Sequence, residues 1–317
     1  MISSKQLLVV CSILSSVRLS AQEELVKFGN FDSWITRSVK ESVLVGGKTQ
    51  TLYEVGPKGT FDGAHPYTNQ GGSPWGNSNI YAKVAGVVKT NVSVYPDVHK
   101  EGQCAKLYTH LVTCKAIGVV NISALASGSI FLGTMLEPIT GTSNPMSKMS
   151  MGIPFTKKPK AVKFDYKFNT PGGERIRETG FGKRQKVAGK DMGQVTCLLQ
   201  KRWEDADGTI HALRIGTMCQ RFSQNCEWKE GQSFTIHYGD ITHESFYQES
   251  MSLMSGGSNG FYALNSKGKN VPIQEDGWAE PGETPTHIIL KFDSSHGGAY
   301  VGTVGNTLWV DNVKLVY

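Results

Sequence analysis

Residues 195–203, Val-Thr-Cys-Leu-Leu-Gln-Lys-Arg-Trp, and residues 209–217, Thr-Ile-His-Ala-Leu-Arg-Ile-Gly-Thr, flank the short polar connection Glu204-Asp205-Ala206-Asp207-Gly208. Asp-Gly at the end of this connection supplies the positive φ that a tight hairpin requires. The same acids could suggest an EF-hand calcium loop, but the glycine comes two positions early for that pattern. We therefore predict a β-hairpin at the centre of the fold.

The rest of the chain repeats this β pattern. Glycine is abundant, with 36 residues among 317, and apolar residues alternate in short runs rather than at helical spacing. Clusters of Gly, Pro, Asn and Ser separate the runs, as in a β-sandwich or barrel. We predict an all-β domain with long loops over residues 22–317, with a small N-terminal subdomain as an alternative. The clearest predicted strands are Cys104–Thr113, Lys160–Asn169, Gln194–Trp203, Ile210–Met218, Ser233–Tyr238, His287–Asp293 and Thr307–Val316.

The first residues have the pattern of a signal peptide. Lys5 precedes an apolar stretch from Leu7 to Val17, which is too short to span a bilayer. The small residues Ser20 and Ala21 end this stretch and are followed by polar residues, as at a signal-peptidase site. We therefore expect cleavage after Ala21, so that the mature chain begins at Gln22. No later segment has the length of a transmembrane helix. The sequence thus predicts export to the periplasm or the outer cell surface.

Net charge and cysteine spacing bear on the partners, metal sites and disulfides that the chain can have. The net charge of +6 is mild and dispersed, which argues against nucleic acid as the partner. No cysteine pair has the C-x-x-C spacing of a zinc or redox site. In an oxidising compartment, Cys219 and Cys226 are the most plausible disulfide, because few residues separate them in a polar stretch.

A basic segment, Thr170 to Lys190, interrupts the strand pattern. It carries five glycines and six basic residues, opposed only by Glu174 and Glu178. It could be a mobile, solvated loop. Alternatively, its arginines could form a basic lip for an anionic glycan, since guanidinium groups bind carboxylate and sulfate in a bidentate manner.

The two ends of the sequence resemble the carbohydrate-binding jelly rolls. The opening stretch is Asn30-Phe31-Asp32-Ser33-Trp34, and the closing stretch is Leu308-Trp309-Val310-Asp311-Asn312-Val313-Lys314-Leu315. The resemblance implies that the first and last strands lie close together and that acids from both can share a structural calcium ion. Asp32 and Asp311 are therefore candidate calcium ligands, through the hard oxygen atoms that calcium prefers.

Four ordered motifs between these ends are similar to the putative carbohydrate metabolism domain family of Bacteroidetes. They are residues 126–133 (ASGSIFLG), 152–159 (GIPFTKKP), 164–168 (FDYKF) and 297–308 (GGAYVGTVGNTL). The resemblance implies a β-sandwich of the galactose-binding type in a secreted or surface system that handles glycans. Some relatives are classed as glycoside hydrolases, but the family supplies no catalytic residues that could be transferred.

Serine hydrolases with a nucleophile elbow and zincin metalloproteases are excluded because the sequence lacks their motifs. There is no G-x-S-x-G nucleophile elbow, and His243-Glu244 lacks the second histidine of a zincin. Glycoside hydrolysis needs only two carboxylates at a suitable distance, which sequence spacing does not reveal. Asp293 stands out because it and His296 lie beside glycine-rich backbone. The candidate carboxylates at strand ends or in loops are Asp97, Glu101, Asp240, Glu244 and Asp293.

Sugar binding needs an exposed aromatic ring for stacking, together with amides and acids for the hydroxyls. Trp75, close to Asn77 and Asn79 in a Gly/Ser/Pro-rich stretch, has this composition, and Trp278 is a second candidate. Core packing remains the alternative for both rings. The other tryptophans outside the leader follow strand patterns that favour the core, namely Trp34, Trp203, Trp228 and Trp309.

We therefore expect an exported protein that binds or handles a glycan without catalysis. A glycoside hydrolase with an unassigned Asp/Glu pair is the first alternative. A structural or adhesin-like surface protein, whose sandwich only displays loops, is the second.

Overall fold

The computed structural model describes residues 22–63, 65–116, 120–141, 143–180, 183–256 and 260–317, which form an all-β fold. The predicted signal peptide, residues 1–21, lies outside this part of the chain. Within the described ranges, no helix is both long and apolar enough to cross a bilayer.

Strands make up nearly all of the regular structure, and three short 3-10 helices interrupt them. The strands of the first half are β1 (Glu23–Leu25), β2 (Trp34–Lys40), β3 (Thr49–Val55), β4 (Gly59–Asp62), β5 (Trp75–Asn77), β6 (Ile80–Val84), β7 (Val87–Asn91), β8 (Val94–His99), β9 (Gly102–Tyr108), β10 (His110–Ala116), β11 (Val120–Ala126), β12 (Ser129–Met135), β13 (Met149–Met151) and β14 (Ile153–Pro154). Those of the second half are β15 (Ala161–Asn169), β16 (Ile176–Arg177), β17 (Thr179–Gly180), β18 (Gln185–Lys186), β19 (Gly193–Glu204), β20 (Ile210–Phe222), β21 (Cys226–Thr235), β22 (His237–Tyr238), β23 (Tyr262–Leu264), β24 (Asn270–Trp278), β25 (His287–Asp293), β26 (Val301–Gly302) and β27 (Thr307–Val316). The 3-10 helices are Val43–Val45, Pro145–Lys148 and Glu249–Met251.

One layer is a six-stranded sheet in the order β21-β15-β27-β9-β8, with β1 paired beside β27. Side chains alternate between its faces. Leu308 and Val310 of β27 are fully buried on the inner face, and Trp309 and Asp311 point to the outer face. This alternation decides which residues of the sheet can meet a ligand from outside.

The other layer contains the predicted hairpin and closes on itself. Seven of its strands form a ring in the order β25-β19-β20-β24-β23-β13-β12, and β12 pairs back onto β25. β5, β14 and β22 extend this sheet at its edges. The described chain is thus a sandwich in which one layer is a closed, barrel-like sheet.

The main core fills the space between the two layers. Phe164 and Phe168 of β15 face Cys197 and Leu199 of β19 and Phe292 of β25, and all five side chains are fully buried. Burial of apolar side chains on this scale is the dominant stabilising contribution to folding.

Most of the predicted long strands are confirmed. β25 and β27 have the predicted bounds, and β15, β19 and β20 differ from theirs by a few residues. The prediction of one strand through Thr109 is wrong, because β9 ends at Tyr108 and β10 begins at His110. The Thr109 hydroxyl is buried and lies 2.7 Å from Ser294 Oγ and 2.9 Å from Ser295 Oγ.

The central hairpin is confirmed as a turn rather than a calcium loop. Gly208 has a φ of +96°, which L side chains rarely adopt, and its N–H donates to the Asp205 carbonyl at 2.9 Å. The Asp207 carboxylate accepts from the Thr209 N–H at 2.9 Å, so it caps the turn.

The basic segment forms a small sheet rather than a free loop. β16 pairs with β18 and with β26, a strand near the end of the chain. Arg184 pairs with Glu178 and Lys186 pairs with Glu174, both at 2.6 Å. These acids neutralise two of the basic groups that were candidates for an anionic glycan.

The predicted disulfide is absent. All five cysteines of the described chain are free. Cys219 lies on β20 opposite Thr196, whereas Cys226 begins β21 in the other layer, opposite Phe168. The two thiols therefore belong to different sheets, although few residues separate them.

A three-stranded sheet, β3-β2-β4, and the hairpin β6-β7 are separate in strand pairing from the two layers. Val39, Leu52 and Tyr81 form a small apolar cluster here. Trp34 and Val55 join the main core instead, so the sheet also contacts the sandwich.

Candidate functional site

A polar cleft of about 510 Å³ opens at one end of the six-stranded sheet. Three segments form it: the chain before β2, the turn between β8 and β9, and the bend in β27. Its lining residues, called the polar cleft below, are Asn30, Asp32, His99, Lys100, Glu101, Gly102, Asp311 and Asn312.

The turn between β8 and β9 fits closely against the chain before β2. Asp32 Oδ1 accepts from the Gln103 N–H at 2.9 Å, and Asn30 Nδ2 donates to Asp32 Oδ2 at 2.6 Å. A Cβ atom at Gly102 would lie 2.3 Å from Asp32 Oδ1, so any other residue here would displace the Asp32 carboxylate.

Irregular pairing in the six-stranded sheet directs three acids toward the cleft. The pairing of β15 with β27 shifts between Lys163 and Asp165, and Asn312 of β27 has a φ of +52°. β21 is also irregular where it passes β15. Bulges of this kind turn side chains away from the regular alternation, and here they bring Asp165, Glu230 and Asp311 together.

His99 lies at the centre of these acids. Its ring is buried, with Nδ1 2.6 Å from Asp311 Oδ2 and Nε2 3.1 Å from Glu230 Oε1. The ring of Trp228 stacks on it at 3.7 Å between centroids. These contacts fix both the position and the orientation of the imidazole. The four residues His99, Asp165, Glu230 and Asp311 are called the His99 cluster below.

Asp165 is buried in the cluster and has neutral hydrogen-bond donors. The Gly231 N–H donates to Oδ1 at 2.5 Å, and Asn312 Nδ2 donates to Oδ2 at 2.8 Å. The Glu230 carboxyl lies beside that of Asp165. One ligand atom each from His99, Asp165 and Glu230 lie within 4.8 Å of one another.

The environments of two of the acids differ. Burial raises the pKa of Asp311 above its usual value, although the hydrogen bond from His99 opposes this. The hydrogen bond from Lys100 Nζ, at 2.5 Å, is the largest contribution that lowers the pKa of Glu230. Glu230 therefore ionises more readily than Asp311.

An aromatic side chain lies further along the same face of β27. Trp309 Nε1 donates to Asp97 Oδ2 at 2.9 Å, and Lys106 and Lys167 lie over the ring at 5.5 and 5.6 Å. The prediction that Trp309 is a core residue is wrong, since the ring is half-buried on the outer face.

Trp75 and its neighbours do not form the predicted sugar platform. Trp75 is 1% exposed, and its ring packs against Phe31 at 5.3 Å and Phe292 at 6.4 Å. Asn77 and Asn79 are also buried, and both amides donate to the Tyr53 carbonyl. The prediction of an exposed loop is wrong here, because β5 is a strand whose side chains complete the core.

The other tryptophans are distributed differently from the prediction. Trp278 is half-buried on β24, where the Arg214 guanidinium lies 5.6 Å from its ring. Trp203 is 41% exposed and stacks on His211, so its assignment to the core is wrong. Trp228 is half-buried against His99, whereas Trp34 lies in the core as predicted.

Asp293 and His296 lie outside the polar cleft and contact different partners. Asp293 is buried, and its Oδ1 is 2.5 Å from both Lys291 Nζ and Ser129 Oγ. His296 Nδ1 accepts from the Met192 N–H at 3.0 Å and lies 3.1 Å from Asp191 Oδ1. Both side chains therefore stabilise local structure.

The structure does bring Asp32 and Asp311 to the same cleft, as expected from the two ends of the sequence. Glu101, a candidate carboxylate, also lines it. Sequence reasoning missed His99, Asp165 and Glu230, although Asp165 lies within the 164–168 motif. His99 is 131 residues from Glu230 and 212 from Asp311, and no local spacing connects them.

The fold and the cleft define an all-β protein with a polar site at the end of a sheet. Residues 49–247 match the family described as Putative carbohydrate metabolism domain. The chain belongs to this carbohydrate-related family.

Two solved structures align with most of this chain. A putative glycoside hydrolase from Bacteroides vulgatus aligns with a TM-score of 0.51 at 14% identity, over 90% of this chain and 96% of that one. A putative glycoside hydrolase from Bacteroides thetaiotaomicron aligns with a TM-score of 0.46 at 19% identity, over 86% of this chain and 76% of that one. No curated protein matches the sequence.

Proposed function

We propose that this protein binds a glycan in the polar cleft, as an exported carbohydrate-binding protein of the jelly-roll, galactose-binding type. The observation that carries the proposal is the lining of the cleft, which consists of amides, carboxylates, an imidazole and an ammonium group around about 510 Å³. Ligand sites in proteins commonly have volumes of this order. Membership of a carbohydrate-related family supports the same ligand class.

The polar groups of the cleft suit the hydroxyls of a sugar. Asn30 and Asn312 offer amide groups, which both donate and accept, and Glu101 offers an acceptor pair for two neighbouring hydroxyls. Lys100 is 60% exposed in its side chain and can turn toward a ligand. Trp228 stands beside the cleft through its stacking on His99 and adds an aromatic edge.

Binding can be tested on an oligosaccharide array, followed by calorimetry with the strongest sugar. Because Lys100 and Glu101 are exposed, Lys100→Ala and Glu101→Gln should lower glycan affinity about tenfold with little change in Tm. Lys269→Ala and Glu244→Gln, exposed elsewhere, are matched controls. Wild-type affinity in both cleft variants would overturn the cleft assignment, and no binding of any sugar would favour a structural or adhesin-like protein.

Glycoside hydrolysis is a second candidate because three carboxylates of the His99 cluster meet at the cleft. Glycosidases use two carboxyl groups that flank the scissile bond. Asp311 lines the cleft, and Asp165 and Glu230 lie beside it. If the protein is catalytic, it should release reducing sugar from a bound oligosaccharide, and Asp311→Asn should abolish the release while binding remains. Binding without release by the wild type would exclude this candidate.

Export is supported by the charged start and apolar stretch of the leader. N-terminal sequencing of secreted protein should begin at Gln22. Secreted protein that still carries Met1 would contradict the cleavage.

A further inference from the structure

We propose that His99, Asp165 and Glu230 form a binding site for a divalent transition-metal cation of the zinc type, with Asp311 orienting the imidazole. The inference is independent of the proposed glycan ligand. It also differs from the calcium ion expected between Asp32 and Asp311, because its ligands include a nitrogen atom.

The geometry is close to that of a coordinated cation. Ligand atoms of the three residues lie within 4.8 Å of one another. Bonds from zinc to imidazole nitrogen and carboxylate oxygen are about 2.0 to 2.2 Å long, so neighbouring ligand atoms lie about 3.5 Å apart. Glu230 is 44% exposed in its side chain and can close the remaining distance by a rotamer change.

Asp311 gives His99 the orientation of a metal ligand. With Nδ1 held by the Asp311 carboxylate at 2.6 Å, Nε2 lies 3.1 Å from Glu230 Oε1. Metal-binding histidines commonly donate the N–H of the other ring nitrogen to a carboxylate in this way, which fixes the tautomer. Stacking by Trp228 prevents the ring from rotating away.

The surroundings of Asp165 suit a cation. Asp165 is 5% exposed, its donors are the neutral N–H of Gly231 and the neutral amide of Asn312, and it meets the Glu230 carboxyl. Two neighbouring carboxyl groups, of which only Asp165 is buried, repel each other when both are ionised. Lys100 Nζ donates to Glu230 Oε2, at the exposed side of the cluster. A cation between Asp165 and Glu230 would remove the repulsion.

The ligand set favours zinc over calcium. Imidazole suits zinc and related transition metals, whereas calcium prefers six to eight oxygen atoms. Three protein ligands would leave at least one coordination position open, and the adjoining polar cleft gives access to it.

The test uses the exported chain after removal of metals by a chelator. Zn²⁺ should bind in a 1:1 complex by calorimetry. Asp311→Asn should weaken binding by about 10- to 100-fold, and Glu230→Gln, which removes a ligand on the exposed side, at least as much. His211→Gln is the matched control, because His211 also lies between two acids, Asp276 and Asp205.

Trp228 provides an optical readout of the site. Co²⁺ should quench its fluorescence on binding, and Trp228→Phe should lose this part of the quench while it keeps the Zn²⁺ affinity. Zn²⁺ binding that is unchanged by Glu230→Gln, or lost with His211→Gln, would overturn the proposal. Preference for Ca²⁺ with dependence on Asp32→Asn would overturn it in favour of the calcium site. Glycan affinity measured on the same variants tests the proposed function separately.

Discussion

The buried ring of Trp75 should contribute strongly to the stability of the fold. It is packed between Phe31 and Phe292, and its Nε1 donates to the Lys27 carbonyl at 2.8 Å. Truncation of a buried tryptophan costs about 3 to 5 kcal/mol through lost packing and the cavity left behind. We therefore expect Trp75→Ala to lower the free energy of unfolding by this amount in urea denaturation.

The matched control is Trp203→Ala, at a ring that is 41% exposed. Because its loss leaves no cavity, the change in unfolding free energy should stay within about 1 kcal/mol. Equal destabilisation by the two substitutions would contradict the different burial of the two rings.

At the same scale, the sequence predicted part of the candidate site. The terminal motifs contain Asp32 and Asp311, and both reach the polar cleft. The composition around Trp75 suggested a sugar platform, yet Gly, Ser and Pro near a tryptophan do not reveal whether tertiary packing covers its ring. His99 meets its acids only through folding, so its role could not be predicted from the chain alone.

At Gly133, strand β12 changes its pairing partner from β25 to β13, and this change closes the seven-stranded ring. β12 pairs with β25 up to Phe131 and with β13 from Gly133 onward. Gly133 has a φ of +144°, and an added Cβ would lie 2.1 Å from the Ser150 carbonyl oxygen. Gly133→Ala should therefore lower the unfolding free energy by at least about 2 kcal/mol, through strain and a weakened β12–β13 pairing.

Thermal and urea denaturation would measure this effect. Gly141→Ala is the control, because an added Cβ there would meet no atom within 4 Å. Its effect should remain within about 0.5 kcal/mol. Hydrogen exchange should show faster exchange of the β12 and β13 amides in Gly133→Ala only, and equal exchange in both variants would contradict the role of Gly133.

Elements were predictable where local pattern and tertiary contacts agree. β25 and β27 follow their apolar alternation to the residue. The short strands β16 and β18 were not foreseen, because β16 pairs with β26 more than a hundred residues further along the chain. Local propensity does not carry that information, since such pairing depends on the assembled fold.

Across the whole molecule, one buried network joins the small N-terminal sheet to the sandwich. Arg37 of β2 donates to Glu54 of β3 at 2.7 Å and to Glu137, which follows β12, at 2.6 Å. Glu137 also accepts from the Tyr67 and Tyr81 N–H groups at 2.9 and 2.6 Å. One guanidinium thus faces two buried carboxyl groups, and Glu137 accepts more hydrogen bonds than Glu54 does.

This arrangement makes stability depend on pH through Glu54. Burial raises the pKa of Glu54 to about 8, and the nearby Glu137 charge acts in the same direction. In the unfolded chain a glutamate titrates near 4.3. Between these values the folded state holds a proton that the unfolded state has lost, so the free energy of unfolding falls as pH rises from about 4.5 to 8.

Glu54→Gln imitates the protonated acid and removes the pH dependence that comes from Glu54. Urea denaturation at intervals from pH 5 to pH 8.5 should therefore show the difference between Glu54→Gln and wild type shifting steadily in favour of glutamine. Glu244→Gln, at an exposed position, should parallel wild type throughout. A difference that stays constant with pH would mean that Glu54 is ionised in the folded protein and that Arg37 neutralises both acids.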